Sequence, residues 1–362
     1  MKTVTLTILL TTSLAFAQQR SSFDQWDKNR DGKLAREELP QGAKRNFERA
    51  DTDRNGSISR AEHQAFLGRQ PRGEQPFTIK SDLPYAGTDN PRQRLDLYLP
   101  KKPRAEKPLP VIAFIHGGAW RKGDKRSASG RLAPLLSNGD YVGVAIGYRL
   151  SDEAQWPAQV HDCKAAIRWI RANAKTYNID PERIGVWGTS AGGHLVAMLG
   201  VSGGIDGLEG EVGKHLSQSS RVRCVVNFFG PSELLTMNDH PSSIDHDAPG
   251  SPESQLIGGT LQKNKDRARS ASPITHVSMD DAPIIHIHGT EDRLVPFPQS
   301  VEFNKKLVAA GVSSHLITVR GGGHGNFGRA SVEVGQVVAT YFAKQLRGEG
   351  GGVTADLELD AR

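Results

Sequence analysis

Arg183-Ile184-Gly185-Val186-Trp187-Gly188-Thr189-Ser190-Ala191-Gly192-Gly193-His194-Leu195 decides the fold. Its first five residues read as a short buried strand, and 191–199 reads as a closely packed helix. Between them Ser190 sits in a G-x-S-x-G pattern, whose small neighbours permit the sharp turn that pushes a serine hydroxyl into the open. The pattern alone decides little. With 39 glycines in the chain, it recurs at Gly200-Val201-Ser202-Gly203-Gly204. Ser202 follows the helix and precedes a glycine-rich loop, so it is expected at the surface. The strand before and the helix after select Ser190.

Outward from this turn, strand-like runs at 111–116, 141–146, 222–229, 283–288 and 316–319 are short and rich in β-branched or aromatic residues. They alternate with helix-like stretches at 160–177, 299–310 and 332–346. Such alternation predicts an α/β fold, a mostly parallel sheet with helices on both faces, with earlier strands at 77–80 and 96–99.

Serine is a poor nucleophile until a base takes its proton, and the base needs a carboxylate to fix its tautomer. In a sheet of this kind the acid and then the base follow the serine in the chain. Asp292 closes His288-Gly289-Thr290-Glu291-Asp292 after one predicted strand, and His324 lies in Gly321-Gly322-Gly323-His324-Gly325 after the next. Both fall beyond strand carboxyl ends, where open α/β sheets place their sites. Glu233 and Glu291 are lesser candidates for the acid. His286 and His288, on a strand, read as packing or backbone-bonding residues, and His161, His194 and His276 lack a comparable loop. A tetrahedral oxyanion needs preorganised N–H donors. His116-Gly117-Gly118-Ala119-Trp120 follows the strand at 111–116 and offers Gly118 and Ala119, with Ala191 after the serine as a third.

Two N-terminal segments repeat one another. Asp27, Asn29, Asp31, Gly32 and Glu38 match Asp51, Asp53, Asn55, Gly56 and Glu62 in the pattern D-x-[DN]-x-[DN]-G-x5-E. Calcium takes oxygen ligands, from side chains at the first, third and fifth positions, a backbone carbonyl at the seventh, here Lys33 and Ser57, and a bidentate carboxylate at the last. Leu34 and Ile58 fall where paired loops meet through a short β-contact. The segments together resemble an EF-hand pair. A dockerin is the competing resemblance, and glutamate at both last positions speaks against it. The implied calcium is structural, and catalysis needs no cofactor.

At 362 residues, 37% hydrophobic and 24% charged, the chain is of globular composition. Residues 1–17 carry Lys2, an apolar run and Ala15-Phe16-Ala17, the features of a signal peptide, so a secreted or periplasmic protein without a membrane span is expected. The expected order is signal peptide 1–17, calcium-loop pair 18–68, linker 69–76, α/β unit 77–347 and disordered tail 348–362. Cys163 and Cys224 read as small buried residues, a disulfide being the second reading. The net charge of +6 is spread without a nucleic-acid signature, leaving a solvated basic surface or weak attraction to acidic polysaccharide. Nothing in the sequence bears on oligomeric state.

With HGGAW, GTSAGG, HGTEDRLVP and GGGHG in order, 78–347 resembles α/β-hydrolase esterases of the hormone-sensitive-lipase and carboxylesterase type. The stretch HDCKAAIRWIRANAKTYNIDPERIGVWGTSAGGHL is similar to the bacterial bifunctional feruloyl and acetyl esterase group. The resemblance implies hydrolysis of small or medium acyl esters, including acetyl and feruloyl groups on carbohydrate, by Ser190, Asp292 and His324. That family often has a third glycine where this chain has Ala119. A peptidase with the same triad, and a calcium-dependent binding protein with a vestigial hydrolase, are the alternatives. The segment 231–279 reads as a solvated polar insertion, or else as a lid or metal site.

Overall fold

Residues 22–44, 46–69 and 75–362 are described by the computed structural model. The chain divides into two units, Met1–Gln75 and Pro76–Arg362. The expected signal peptide and most of the expected linker lie outside the described residues.

The larger unit carries β1 (Phe77–Pro84), β2 (Arg94–Pro100), β3 (Leu109–Ile115), β4 (Val142–Ile146), β5 (Ile179–Thr189), β6 (Cys224–Phe228), β7 (Ile284–Gly289), β8 (Ser314–Arg320) and β9 (Leu357–Asp360). They form one nine-stranded sheet in the order β9-β8-β7-β6-β5-β3-β4-β2-β1. Pairing is parallel from β9 through to β4, and β2 is antiparallel to both β4 and β1. A parallel strand is covered on both faces, so it reads as an unbroken apolar run, and all of β3 is buried. Its side chains alternate between two cores: Val111, Ala113 and Ile115 in one, Ile112 and Phe114 in the other.

The seven α-helices labelled here are α1 (Ser129–Leu136), α2 (Ala158–Ala172), α3 (Ala191–Val201), α4 (Pro252–Ile257), α5 (Lys265–Ser270), α6 (Pro298–Ala309) and α7 (Ser331–Phe342). Val160 and Ile167 of α2, Leu195 of α3 and Phe303 of α6 join the first core. Leu132 of α1 and Val334 and Val338 of α7 join the second. The sheet is thereby sandwiched between helices, the α/β-hydrolase architecture. Cys163, on α2, belongs to the first core and Cys224 to the second, so the sheet separates them; both are buried and free.

Three expectations are corrected. The tail is not disordered throughout: 357–360 pairs in parallel with β8. Gly350 and Gly352 take left-handed backbone, Asp356 accepts the Leu316 N–H at 2.7 Å, and Arg320 pairs with Glu358 at 2.8 Å. Ser202 is buried rather than exposed, and its hydroxyl donates to Met198 O at 2.6 Å, closing the last turn of α3. The insertion 231–279 is not a solvated loop. It folds into α4, α5 and three 3-10 turns, and Leu234, Leu256, Ile257, Leu261, Ala268 and Ala271 are buried in the first core.

In the smaller unit, Leu34 pairs with Ile58 in a two-stranded antiparallel ladder, as their places in the repeat predict. Phe23, Leu34, Leu39, Phe47, Ala50 and Ile58 make its core, with His63 packed edge-on against Phe23 and Trp26. No helix among the described residues is long and apolar enough to cross a membrane.

Candidate active site

β5 ends at Thr189 and α3 begins at Ala191, which leaves Ser190 alone in the turn at φ 56° and ψ −123°. L residues rarely adopt this conformation, and it costs on the order of 1–3 kcal/mol. Surrounding bonds hold it: Ser190 N–H donates to Phe228 O, and Ser190 O accepts from His194 N–H, each at 2.9 Å. The approach of α3 to the sheet requires glycine at 192, where a Cβ would lie 2.1 Å from Ile115 O.

Asp292 and His324 meet at the carboxyl ends of β7 and β8. His324 Nδ1 lies 2.7 Å from Asp292 Oδ2. The other carboxylate oxygen, Oδ1, accepts the N–H groups of Leu294 and Val295 at 2.8 and 3.0 Å. Burial opposes ionisation of Asp292, but hydrogen bonds from His288 and His324, and their charge when protonated, outweigh it and hold the carboxyl well below its usual range. Glu233 lies elsewhere, its carboxylate taking the Thr236 hydroxyl at 3.2 Å.

The sequence reads His288 as a packing or backbone-bonding residue, and its position goes further. Its Nε2 faces Asp292 Oδ2 at 3.2 Å and Val295 O at 3.0 Å, while Nδ1 faces the Ser300 hydroxyl at 2.8 Å. Two oxygen acceptors at Nε2 assign the proton there, and Nδ1 then accepts from Ser300. The four-residue spacing from His288 to Asp292 was the available signal. His286 is a packing residue, buried against Phe303.

The loop after β3 takes left-handed backbone at Gly118, Ala119 and Trp120, with φ of 119°, 56° and 55°. Neither Gly118 nor Ala119 donates its N–H to a protein group among the described residues. Two bonds anchor the loop. Buried Trp120 donates its indole N–H to His194 Nδ1 at 3.2 Å, and Ser151 N–H donates to Trp120 O at 2.8 Å. His194 Nε2 in turn faces Ala271 O at 2.7 Å, and burial pushes its pKa down to about 4. A histidine with no evident role in the sequence thus ties the serine's helix to this loop and to the insertion.

Ser190, His324, Gly118 and Ala119 line one cleft of about 850 Å³, with Trp187, Phe228, Phe327 and Val338 forming an apolar wall. Ala191 begins α3 beside the serine, and its N–H at the helix start has no intrahelical partner. The geometry brings together a serine held in an open turn, an imidazole braced by a carboxylate and unengaged backbone N–H groups.

A family model described as BD-FAE matches residues 95–307, more than half of the chain. The chain belongs to the BD-FAE family. A second model, described as EF hand, matches 45–67, the second acidic loop. Esterase LipC of Mycobacterium tuberculosis is 31% identical over 240 residues, covering 66% of this chain and 58% of its own length. The chain spans less than two thirds of the curated relatives LipC, LipM and LipQ. Among solved structures, a truncated carbohydrate esterase from gut microbiota is similar to the BD-FAE unit. It has a TM-score of 0.70 and 36% identity, with 76% of this chain and 98% of that one covered. A bifunctional GH43-CE protein of Bacteroides eggerthii gives 0.67 and 35%, with 74% and 35% covered.

The two acidic loops fit calcium in their backbone and donors. Arg30 and Gly32 have φ of 60° and 79°, and Arg54 and Gly56 have 58° and 83°, so the loops turn alike. In the second, Asp51, Asp53 and Glu62 bring carboxylate oxygens within 4.8 Å of one another. Among the described residues the first brings no such trio together, but Asp27 Oδ1 is buried without a hydrogen-bond partner. Oxygen donors alone suit a hard cation.

Proposed function

We propose that the chain is an exported carboxylic ester hydrolase acting through Ser190, Asp292 and His324. The observation that carries this is the 2.7 Å bond that His324 Nδ1 makes to Asp292, His324 and Ser190 lining one cleft. Asp292 fixes the proton on His324 Nδ1, leaving Nε2 to take the proton from Ser190 Oγ as it attacks the ester carbonyl. The Gly118, Ala119 and Ala191 N–H groups receive the oxyanion. The carbonyl re-forms as the C–O bond to the alcohol breaks, and His324 delivers its proton to the departing oxygen. Water, deprotonated by His324, then attacks the acyl-enzyme; Ser190 recovers its proton and the acid leaves.

The apolar wall of the cleft suits small or medium acyl groups, and the likeness to a carbohydrate esterase supports acetyl or feruloyl esters of carbohydrate. Asp27, Asn29, Asp31, the Lys33 carbonyl and Glu38 would hold one calcium; Asp51, Asp53, Asn55, the Ser57 carbonyl and Glu62 would hold another. Calcium there orders the N-terminal unit. Export rests on the charge and apolar run of 1–17.

Ser190→Ala is expected to lower p-nitrophenyl acetate hydrolysis by at least about 10⁴-fold with an unchanged thermal melt. A fluorophosphonate probe should label the parent chain at Ser190. An active Ser190→Ala chain refutes the assignment. Faster turnover of peptide p-nitroanilides than of esters replaces esterase with peptidase.

A further inference from the structure

Resting on the esterase reading, we infer that the cleft selects esters of sugars that carry a carboxylate, with the uronic acid on the alcohol side of the scissile bond. Beside the N–H groups of Gly118 and Ala119, the cleft is lined by Arg121, Lys122 and Arg131, and by one carboxylate of the rim, Asp124. Asp124 is already engaged. It caps the following turn through the Arg126 N–H at 2.8 Å and pairs with Arg126 at 3.4 Å and Arg92 at 3.9 Å.

The three cations have no such partner. Arg121 reaches only neutral oxygens, Gly250 O at 3.5 Å and Gln255 Oε1 at 3.4 Å. Arg131 donates to Ser127 O at 3.0 Å and lies over the Phe114 ring at 5.4 Å. Among the described residues, none of the three pairs with a carboxylate. Their charge is therefore available to a ligand that carries a carboxylate. Three exposed cations unpaired with any carboxylate among the described residues thus line this one cleft.

The cations also indicate which part of the substrate bears the anion. All three are exposed, whereas the deeper wall is aromatic and aliphatic. A carboxylate keeps part of its hydration on an exposed rim and loses it against Trp187 and Phe228. The apolar wall therefore takes the acyl group, and the rim takes the hydrated, charged sugar. Arginine suits this task because its planar fork pairs with a carboxylate through two bonds.

The test compares kcat/KM for acetate release from a mono-O-acetylated methyl glucuronoside and the matching methyl glucoside. At about 0.01 M salt, where the Debye length is about 30 Å, the uronic ester is expected to be favoured by about tenfold. At about 1 M salt, where it is about 3 Å, the two should converge. Lys122→Gln combined with Arg131→Gln should lower the low-salt ratio toward one. Lys305→Gln, exposed on α6 and paired with Glu302, should leave it unchanged. A thermal melt checks folding of each variant, and the salt dependence of the parent chain tests the idea without any variant. Equal rates at low salt, preference for the neutral sugar, or hydrolysis of p-nitrophenyl acetate with neither sugar ester cleaved each overturn the inference. Failure on p-nitrophenyl acetate as well overturns the esterase reading instead.

Discussion

His288 and His324 both address Oδ2 of Asp292, at 3.2 and 2.7 Å. One imidazole faces the cleft, and the other is buried and locked by Ser300. The buried one cannot meet substrate, so its effect passes through the position of the carboxylate. His288→Gln is expected to lower kcat by about ten- to a hundredfold with little change in KM, since misplacement of about 1 Å costs rates of that order. Ser300→Ala, which frees the ring without removing it, should cost less. Steady-state kinetics of both variants check this; a change confined to KM would assign His288 to binding instead.

The same bonds make a prediction in pH. Asp292 has its pKa lowered in the folded chain from its ordinary 3.8, because donors from His288 and His324 outweigh burial. A carboxyl lowered on folding adds stability that is fully present above its unfolded value and is lost as pH falls through 3.8 toward the folded value. The melting temperature of the catalytic unit should fall more steeply between about pH 5 and pH 3 in the parent chain than in Asp292→Asn. Calorimetry across that range decides it, and parallel curves would mean that Asp292 does not carry the acid lability.

Ala119 stands in left-handed backbone that glycine adopts freely, and what it would offer the proposed reaction is its N–H. Ala119→Gly keeps that group. It is expected to stabilise the fold by about 0.5–1 kcal/mol after the entropy of a glycine in the unfolded chain is subtracted, with activity close to the parent's. Gly118→Ala is the opposite case, since its Cβ would lie 2.1 Å from Lys122 O. Displacing that donor should cost about 10²–10³ in kcat. Chemical denaturation and ester kinetics on the pair separate strain from catalysis.

These residues show what the sequence could and could not disclose. The turn at Ser190 was legible because a buried parallel strand, a small-residue helix and a glycine pattern coincide within a few positions. β9 was hidden by three glycines at 350–352 and four acidic or basic residues at 355–362, although Leu357 and Leu359 alternate as a strand should. The insertion hides its fold because its composition is polar while the minority of apolar residues, from Leu234 to Ala271, face the core. The bonding roles of His194 and His288 are hidden for a different reason. Their partners, Trp120, Ala271 and Ser300, are brought to them only by tertiary packing.

Cys163 and Cys224 provide a simple check on the sheet. A disulfide requires Cα atoms within about 7 Å, and the sheet stands between these two. Burial pushes both thiols well above their usual range, so neither is a reactive thiolate. Thiol titration of the native chain should find none reactive, and titration after unfolding without reductant should find both. Fewer thiols after unfolding would show that the bridge forms.

Calcium removal separates the two units. The N-terminal core is small, and a module of that size depends on a staple such as a metal for much of its stability. Calcium binding the folded unit alone stabilises it by about 4 kcal/mol at a thousandfold excess over Kd. Isothermal titration of the full chain is expected to find two sites. Asp51→Ala should abolish the tighter one, where Asp51, Asp53 and Glu62 already converge, and Asp27→Ala should abolish the weaker. Because the proposed ester chemistry draws all its charged groups from 118–324, chelation should lower the melting temperature of the N-terminal unit and leave kcat for p-nitrophenyl acetate within about twofold. A kcat that collapses on chelation and returns with calcium would make the metal part of the catalytic apparatus, rather than a staple for the unit that precedes it.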